Sequence, residues 1–409
     1  MAKKFEEIKE EEYPYELPEG WKWERLGNIA DVVMGQSPSG NDITDDSTFT
    51  PLIGGAADMG EVYPKVKRYT KKITKISQNN DIILCIRATL GRPIFSNGEY
   101  CLGRGVASIR PSDEIYKNFL LYMYKNFEQY LYDNATGSTF LQVTGKVLCQ
   151  MPIPLPPKET QQKIVDIIES LFAKLDIAQE KVEQVLAESE NRRSAILHNA
   201  FSGKLTEKWR EENNVSFDSW NEYKIKDIAK NIKDKYDPEK DKFLNIPYIG
   251  LEHIEKNNGI VGFSSSEGVK SIKTLFNKND VLYGKLRPYL DKHDIAEYNG
   301  MCSTDIIVYR CELKETAIIL NYVMSTKQFI EYAVTNSKGI NLPRTSEKII
   351  SEYKLQLPLL TEQKEIARLL DKFLSVEDKV KSTCQNTLEA IATMRKSILA
   401  KAFRGELCS

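Results

Sequence analysis

The sequence lacks the features that mark membrane, secreted and metal-stabilised proteins. Its apolar stretches, such as residues 317–320, are far shorter than the roughly 20 residues that a membrane-spanning helix needs. The amino terminus is charged and has no apolar run, so we expect no signal peptide. The seven cysteines include no Cys-x-x-Cys pair, which argues against a zinc ribbon or a disulfide scaffold and fits a reducing cytoplasm.

The chain also lacks an excess of charge of either sign. With 57 basic and 58 acidic residues its formal net charge is −1. A domain that binds nucleic-acid phosphates usually carries a basic excess. Any nucleic-acid-binding face must therefore be local, with acidic residues segregated elsewhere in the molecule.

Motifs for catalysis and for cofactor binding are missing as well. The three histidines, His198, His253 and His293, do not have the spacing of metal ligands. Residues 144–147 (TGKV) resemble a phosphate loop, but Phe140 stands where that motif needs glycine and Val147 replaces its Ser or Thr. The adenine methyltransferase motifs are also absent, and we interpret the carboxylates of 291–297 as a charged surface loop. We therefore expect no catalytic residue, no metal and no cofactor.

What the sequence does contain is an internal duplication. Residues 155–205 align without a gap with residues 357–407, so that residue n matches residue n + 202, as in Leu155 with Leu357. Both segments begin with Leu-Pro and end with Ala-Phe-x-Gly-x-Leu. Two unrelated amphipathic helices would share their apolar spacing but not these matching ends, so the sequence predicts a duplicated unit.

The regions before these segments match more faintly. Residues 21–30 align with 220–229, and 80–83 (NDII) with 279–282 (NDVL), both at an offset of 199. Each unit is thus a variable region of roughly 135 residues followed by a matched helix. This arrangement predicts two different binding regions on a common framework.

Each duplicated segment is predicted to be a long helix. Thr160 and Thr361 are the expected N-caps, and Gly203 and Gly405 the expected helix stops. Apolar residues recur with the 4–3 spacing of a coiled-coil seam, which favours a paired rod of about 60 Å over two ordinary amphipathic helices on separate domains. The expected seam positions are Ile164, Ile168, Leu171, Leu175, Ala178, Val182, Val185, Ser189, Arg192 and Ile196, with Ile366, Leu370, Phe373, Glu377, Val380, Cys384, Thr387, Ile391, Met394 and Ile398.

The polar seam residues indicate the direction of the pairing. An antiparallel pair places Glu377 near Ser189 and Arg192, whereas a parallel pair leaves it against Leu175 as an unpaired charge. We therefore expect antiparallel helices, a pseudo-twofold repeat and, on duplex DNA, two different half-sites whose gap the helices set.

The variable regions have mixed patterns that predict α/β (α+β) domains. Strands are expected at 82–86, 106–109, 246–249 and 306–309, and helices at 117–132 and 316–334. We divide the chain into a first recognition domain (1–155), a first spacer helix (156–203), a second recognition domain (204–356) and a second spacer helix (357–409).

Basic, amide and hydroxyl side chains in the variable regions are the candidate DNA contacts, since Arg and Lys suit phosphates and guanine, and Gln suits adenine. For any single lysine a solvated charged surface is the better interpretation. Arg87, Arg104, Lys285 and Arg287 have more weight because they lie beside strand-like, glycine-containing segments. The candidates are Gln36, Ser37, Lys65, Lys67, Arg68, Lys71, Lys72, Arg87, Arg92, Arg104, Ser138, Thr139, Lys233, Lys235, Lys285, Arg287, Lys292, Thr304, Lys338 and Arg344.

The chain resembles the specificity subunits of type I restriction–modification systems over nearly its whole length. The resemblance rests on residues 17–21 (LPEGW), 80–83 (NDII), 283–289 (YGKLRPY) and 302–305 (CSTD), and on the Leu-Pro entry to each long helix. It implies recognition of bipartite double-stranded DNA and assembly with two modification subunits and with restriction subunits, which carry the catalysis.

Two other functions remain open on the residues alone. One is a stand-alone nuclease or methyltransferase with an unrecognised site. The other is a coiled-coil scaffold with no nucleic-acid role, which the near-neutral charge favours. Unaided modification of DNA would indicate the first, and absence of DNA binding with partners present would indicate the second.

Overall fold

A computed structural model describes residues 5–137, 140–339 and 341–407. The chain divides into two compact units. The first consists of Met1–Val182 together with Asn386–Ser409, and the second is Glu183–Gln385. Each unit therefore contains one variable region and a part of both long helices.

The elements run in chain order as follows. In the first half they are β1 (Lys22–Arg25), α1 (Leu26–Ile29), β2 (Ala30–Met34), β3 (Ile43–Thr44), β4 (Thr50–Ile53), β5 (Tyr69–Thr70), β6 (Ile82–Arg87), β7 (Thr89–Phe95), β8 (Cys101–Leu102), β9 (Val106–Pro111), α2 (Lys117–Asn126), α3 (Glu128–Asp133), α4 (Gly145–Gln150), β10 (Pro152–Leu155) and α5 (Lys158–Phe201). In the second half they are α6 (Glu207–Asn213), β11 (Asn221–Lys224), α7 (Ile225–Ile228), β12 (Ala229–Ile232), β13 (Lys235–Tyr236), β14 (Tyr248–Ile249), β15 (Ile254–Glu255), β16 (Gly259–Ile260), β17 (Lys273–Phe276), β18 (Val281–Gly284), β19 (His293–Ile295), β20 (Gly300–Cys302), β21 (Ile306–Cys311), α8 (Lys314–Met324), α9 (Lys327–Thr335), α10 (Glu347–Ile350), β22 (Lys354–Leu357) and α11 (Leu360–Phe403).

The two variable regions share the order of one sheet and differ in the other. In the first region the sheets have the orders β2-β9-β6-β7 and β3-β5-β4-β8; in the second they have the orders β12-β21-β18-β19 and β13-β17-β20-β14. The first sheets match strand for strand. The other sheets each contain one parallel pair, β4 with β8 and β14 with β20, but the edge strand of that pair is the later of the two in the chain in one region (β8) and the earlier in the other (β14). The duplication expected from the faint matches is thus confirmed by the strand order of the first sheet.

The matched Asn-Asp dipeptide forms the same turn in both regions. The asparagine has a positive φ, 70° in one region and 72° in the other, which asparagine tolerates better than most residues. The buried aspartate that follows accepts two hydrogen bonds from an arginine on the neighbouring strand. Arg110 donates to Asp81 at 3.0 and 3.0 Å, and Arg310 donates to Asp280 at 2.7 and 2.7 Å. This turn therefore ties the start of the central strand to its neighbour.

The long helices complete the core of each unit. In the first unit Phe403 is fully buried, with its ring 5.1 Å from that of Phe119 in an edge-on arrangement, in a cluster that includes Ile164 of α5. In the second unit Leu197 and Ile366 are buried in one cluster with the sheet and its covering helices. Truncating a buried Phe, Leu or Ile of this kind to Ala costs about 2–5 kcal/mol of unfolding free energy.

The two helices run antiparallel in each unit, as expected. In the first unit Arg395 of α11 forms an ion pair with Asp176 of α5. In the second unit the Arg192 Nε atom lies 3.0 and 3.1 Å from the two carboxylate oxygens of Glu377. The contact predicted for Glu377 from the seam pattern is confirmed.

Three of the predicted seam positions are wrong. Val185, Phe373 and Met394 were expected in the seam, but their side chains are exposed by 39%, 38% and 53%. In α11 the neighbouring Leu374 is buried instead of Phe373. At the other heptad position Leu370, Cys384 and Ile391 are buried, so the expected seam is confirmed at these three residues.

The expected helix ends are partly right. Gly203 and Gly405 have φ of 77° and 79° and follow α5 and α11 closely, so both predicted stops are confirmed. The predicted N-caps are wrong, because Thr160 and Thr361 lie within the first turns of helices that begin at Lys158 and Leu360. The carbonyl of Pro157 accepts the first hydrogen bonds of α5.

Shorter elements also differ in extent from the prediction. The helices expected at 117–132 and 316–334 are each divided in two, into α2 and α3 and into α8 and α9. The strand expected at 246–249 is formed only at Tyr248–Ile249. The strands expected at 82–86, 106–109 and 306–309 are present and slightly longer.

We predict that exchanging the charges of Arg192 and Glu377 tests the antiparallel register. The single variants Arg192→Glu and Glu377→Arg place like charges side by side and lower the thermal unfolding midpoint, whereas the double variant restores an opposite pair and recovers part of the loss. The measurement is thermal unfolding followed by circular dichroism. Lys208→Glu, on a surface i,i+4 pair, is the control and should change the midpoint little. A double variant no more stable than either single variant would contradict the register.

Candidate functional site

A group of the predicted basic residues surrounds the end of strand β18 in the second unit. The amide of Lys285 donates to the carbonyl of Asp305 at 2.8 Å, and the carbonyl of Lys285 accepts from the amide of Thr345 at 3.0 Å. The amide of Arg287 donates to the carbonyl of Pro343 at 2.7 Å. Three loops that are far apart in the sequence thus meet at one strand end.

The side chains at this junction combine several cations with one carboxylate. Arg344 forms an ion pair with Asp305, and its backbone pairs with that of Lys338. Burial and the nearby Arg344 guanidinium lower the pKa of Lys285 below its ordinary value. Cations held this close repel one another, and an anionic group placed between them would relieve that repulsion.

The structure therefore brings together five of the predicted second-half residues. They are Lys285, Arg287, Thr304, Lys338 and Arg344. We call this group the second basic cluster. Arg287, Thr304 and Lys338 are exposed.

The other predicted residues of the second half lie elsewhere. Lys292 is half-buried, and its ammonium donates to the carbonyl of Leu251 at 2.6 Å, which occupies it in an internal contact. Lys235 lies on β13, in the other sheet of the unit, and Lys233 directly follows β12. Both lysines are exposed.

In the first unit a different group of candidates forms where glycine-containing segments of the chain cross closely. The amide of Arg104 donates to the Ser37 hydroxyl at 3.2 Å, and the amide of Gln36 donates to Leu102. A Cβ on Gly103 would lie 2.9 Å from the carbonyl oxygen of Ile53, so this crossing requires glycine.

Two arginines from different elements, Arg68 before β5 and Arg92 on β7, reach the short segment that contains Ala56 and Asp58. Arg68 has an Nη2 atom 3.6 Å from the carboxylate of the buried Asp58, and Arg92 donates to the carbonyl of Ala56 at 3.3 Å. With Gln36, Ser37 and Arg104 these arginines form what we call the first basic cluster. Arg104 and Arg92 are exposed, and Arg68 keeps about half of its side chain accessible.

The remaining candidates of the first half are spread over its surface. Lys65, Lys67, Lys71 and Lys72 are exposed around β5, and the Lys71 ammonium lies 5.7 Å from the ring centre of Phe49. Arg87 ends β6 and forms a β-bridge with Gln142. The candidates Ser138 and Thr139 lie outside the described residues.

Sequence reasoning missed the acidic residues that orient the clusters. Asp305 pairs with Arg344, and Asp58 both faces Arg68 and accepts from the amide of Gly54 at 2.7 Å. Asp305 directly follows the predicted contact Thr304, and this position was the only sequence feature that could have indicated its role. Nothing in the local sequence distinguishes the buried Asp58 from the exposed acidic residues.

The segment 291–297 was expected to be a charged surface loop, and that expectation is wrong. Asp291 and His293 are buried, 4% and 7% exposed, and His293 begins strand β19. His293 Nε2 lies 3.0 Å from Asp291 and 3.1 Å from the hydroxyl of Ser325, while its Nδ1 lies 2.7 Å from Asn321 Oδ1. Asp294 also lies near the ring, and Tyr283 stacks on it.

This network has the residue types of a catalytic triad but not its geometry. In a triad the aspartate and the serine contact opposite ring nitrogens, whereas here both contact Nε2. Burial alone lowers the pKa of an imidazolium, but the bond and the charge of Asp291 outweigh it, so the pKa of His293 lies above its ordinary value. We interpret the network as structural.

The described part of the chain has neither a membrane-spanning helix nor a cluster of metal-binding side chains. Within 5–137, 140–339 and 341–407, no helix combines the length and the apolar composition required to cross a bilayer. The same part of the chain brings together no three His, Cys, Asp or Glu side chains in an arrangement able to hold a metal ion.

Comparison with known sequences gives a consistent result. The family profile of the type I restriction modification DNA specificity domain matches residues 18–187 and 218–390. The specificity subunit of the type I restriction enzyme EcoDI of Escherichia coli is 26% identical over 426 residues, covering 96% of this chain and 89% of that protein. The EcoKI specificity subunit of Escherichia coli K12 is 24% identical, covering 96% and 90%. These matches extend over both variable regions and both long helices.

Solved structures share the fold. A chain from a study of complex assembly and conformational transition in the type I restriction–modification system aligns over 96% of this chain and 100% of its own length, with a TM-score of 0.73 and 18% identity. The HsdS subunit from Thermoanaerobacter tengcongensis aligns over 96% and 99%, with a TM-score of 0.62 and 18% identity.

We predict that His293 makes the stability of the second unit depend on pH. Because its pKa is raised in the folded state, its contribution is fully present below the unfolded pKa of about 6.5 and is lost as the pH rises through the folded pKa. The urea midpoint should therefore fall across this range in the wild type, and His293→Gln should flatten this part of the profile. The exposed His198, replaced by Gln, is the control. An unchanged profile in His293→Gln would contradict the assignment.

Proposed function

The chain belongs to the family of type I restriction–modification DNA specificity proteins, and from that premise we propose that it reads a split, asymmetric sequence in duplex DNA. Each variable region contacts one half-site, and the basic clusters supply the phosphate and base contacts. The chain itself is the non-catalytic specificity subunit, so methylation and cleavage fall to its partners.

The observation that carries this proposal is the repetition of one framework with different surface residues. The order of one four-stranded sheet, β2-β9-β6-β7 in the first region and β12-β21-β18-β19 in the second, and the Asn-Asp turn are shared by the two regions. At equivalent positions of this framework the first region has Ile86, Ala88 and Gln142, whereas the second has Lys285, Arg287 and Arg344. Two similar regions with different polar side chains suit two different half-sites.

We further propose that the long helices hold two modification subunits and, through that complex, the restriction subunits. The described parts of α5 and α11 carry large apolar side chains that this chain leaves exposed, including Ile177 (55%), Val376 (49%) and Met394 (53%). Exposed apolar side chains of this size on charged helices suit a protein partner. We place this assembly in the cytoplasm, where its DNA is found.

The test is methylome sequencing of a host that expresses this chain together with its modification subunit. We expect a new methylated motif with two different half-sites separated by unspecified bases. A complex that forms but produces no new motif would contradict the proposal and favour an interaction scaffold. Modification of DNA by the purified chain alone would indicate an enzyme instead.

The domain boundaries and the spacer function of the helices stay predictions. A matched variant with four residues inserted after Val182 tests them in the same experiment. If the helices set the gap, the insertion changes the number of unspecified bases and leaves both half-sites as they were. A changed half-site sequence would contradict this division of labour.

We predict that Arg287→Ala weakens binding of the assembled complex to its target and lowers the slope of log affinity against log salt by about 1, as expected for loss of one phosphate contact. The substitution suits the backbone, because Ala88 holds the equivalent position of the first region with a φ of 64°, close to the 52° of Arg287. Lys208→Ala, at a surface position on α6, is the control. Unchanged affinity and slope would remove Arg287 from the interface.

A further inference from the structure

Both variable regions present one large apolar side chain at the same position of the framework. Phe140 is 60% exposed and Leu342 is 52% exposed, and they are related by the offset of 202 that relates the long helices. We call these two side chains the apolar tips. Isolated exposed apolar residues are common, so the repetition and its surroundings decide whether the tips have a function.

The backbone beside each tip is attached to the central sheet by the same hydrogen bonds. In the first region Ala88 donates to Leu141 at 2.8 Å and Val143 donates to Ile86 at 2.9 Å. In the second, Arg287 donates to Pro343 at 2.7 Å and Thr345 donates to Lys285 at 3.0 Å. These bonds form two matching pairs, so the segments that carry the two tips are attached to the central sheet at equivalent positions.

Each tip also lies within a turn that backbone hydrogen bonds close. Thr136 and Gln142 exchange two backbone hydrogen bonds of 2.9 Å, and the counterpart pair in the second region exchanges bonds of 3.0 and 2.9 Å. Gly137 has a φ of 106°, and a Cβ there would lie 2.3 Å from the carbonyl oxygen of Phe140. The first turn therefore requires glycine at this position.

Cations lie beside both tips and indicate what they contact. Arg344 closes the second turn. Arg87, the last residue of β6, forms a β-bridge with Gln142, which closes the first turn. Lys338 lies at the other side of the second turn. An apolar side chain among cations suits a partner with an anionic surface and an apolar interior, which duplex DNA provides in its phosphates and stacked bases.

We propose that Phe140 and Leu342 are wedges, each of which inserts between two base pairs of its own half-site and partly unstacks them. This inference rests on the proposed function. It adds a contact whose specificity comes from how easily the DNA sequence is deformed rather than from hydrogen bonds to base edges. Unstacking costs a few kcal/mol per step, and contacts made by the kinked duplex offset that cost. Flexible pyrimidine–purine steps are therefore the expected insertion points.

The experiment uses the complex of this chain with its modification subunit and a duplex that contains the methylated motif. 2-Aminopurine is placed in turn at each step of both half-sites, except at the methylated adenine, and its fluorescence is measured with and without the complex. The wild type should increase the fluorescence at one step in each half-site. Phe140→Ala should abolish the increase in one half-site only, and Leu342→Ala in the other.

Affinity provides a second readout that separates a wedge from a phosphate contact. Each alanine variant should weaken binding about tenfold or more without changing the salt slope, because no ionic contact is lost. Phe140→Leu should retain most of the binding, since the second region already uses leucine at this position. Phe243→Ala, which removes an equally exposed phenylalanine (60%), is the matched control.

The outcomes distinguish the wedge from the function on which it rests. A wild-type complex that methylates its motif, with alanine variants that leave fluorescence and affinity unchanged, overturns the wedge alone. A wild-type complex that neither binds nor methylates DNA overturns the proposed function. Loss of binding in Phe140→Leu as well as in Phe140→Ala would show a structural effect and would also overturn the wedge.

Discussion

The fold depends on the antiparallel pairing of two helices that are far apart in the sequence. In the first unit the end of α11, with Phe403, closes a core built by the amino-terminal region and the start of α5. In the second unit the end of α5, with Leu197, packs in one core with the start of α11. Neither core is made from one continuous stretch of chain, so each unit requires both helices. This explains why the helices remained similar at a constant offset while the regions between them diverged.

A second constraint acts where the helices meet the sheets. The buried Glu362 at the start of α11 accepts from Arg210 at 2.6 Å, from Thr206 at 2.6 Å and from Trp220 at 3.1 Å. A buried carboxylate is tolerated when its oxygens are satisfied in this way, whereas removing one partner of a buried ion pair costs about 3–5 kcal/mol. The network fixes the segment after α5 against the start of the second long helix. In the first unit the hydroxyl of Tyr15 donates to the carbonyl of Phe403 at 2.9 Å, so different residues perform a similar attachment.

Much of this architecture could be predicted from the sequence, because repetition and heptad spacing are strong signals. The duplication, the helix stops at Gly203 and Gly405 and the contact of Glu377 with Arg192 all follow from patterns that local chemistry determines. The errors arise where tertiary packing decides. The apolar spacing of α11 allows a seam through either Phe373 or Leu374, and only packing buries Leu374 while leaving Phe373 exposed. The burial of His293 depends on Asn321 and Ser325, which no local pattern connects to it.

The near-neutral net charge, which argued against a DNA-binding protein, is consistent with the arrangement of the clusters. Carboxylates lie within them, with Asp305 on Arg344 and Asp58 near Arg68. Such carboxylates weaken the general attraction of the protein for phosphates, but the hydrogen bond from Arg344 to Asp305 also favours one orientation of that guanidinium, which base recognition requires. Non-specific binding to DNA is almost entirely electrostatic. A chain with little excess charge therefore binds more weakly to the many incorrect sites in a genome. Affinity must then come from contacts that only the correct sequence can satisfy.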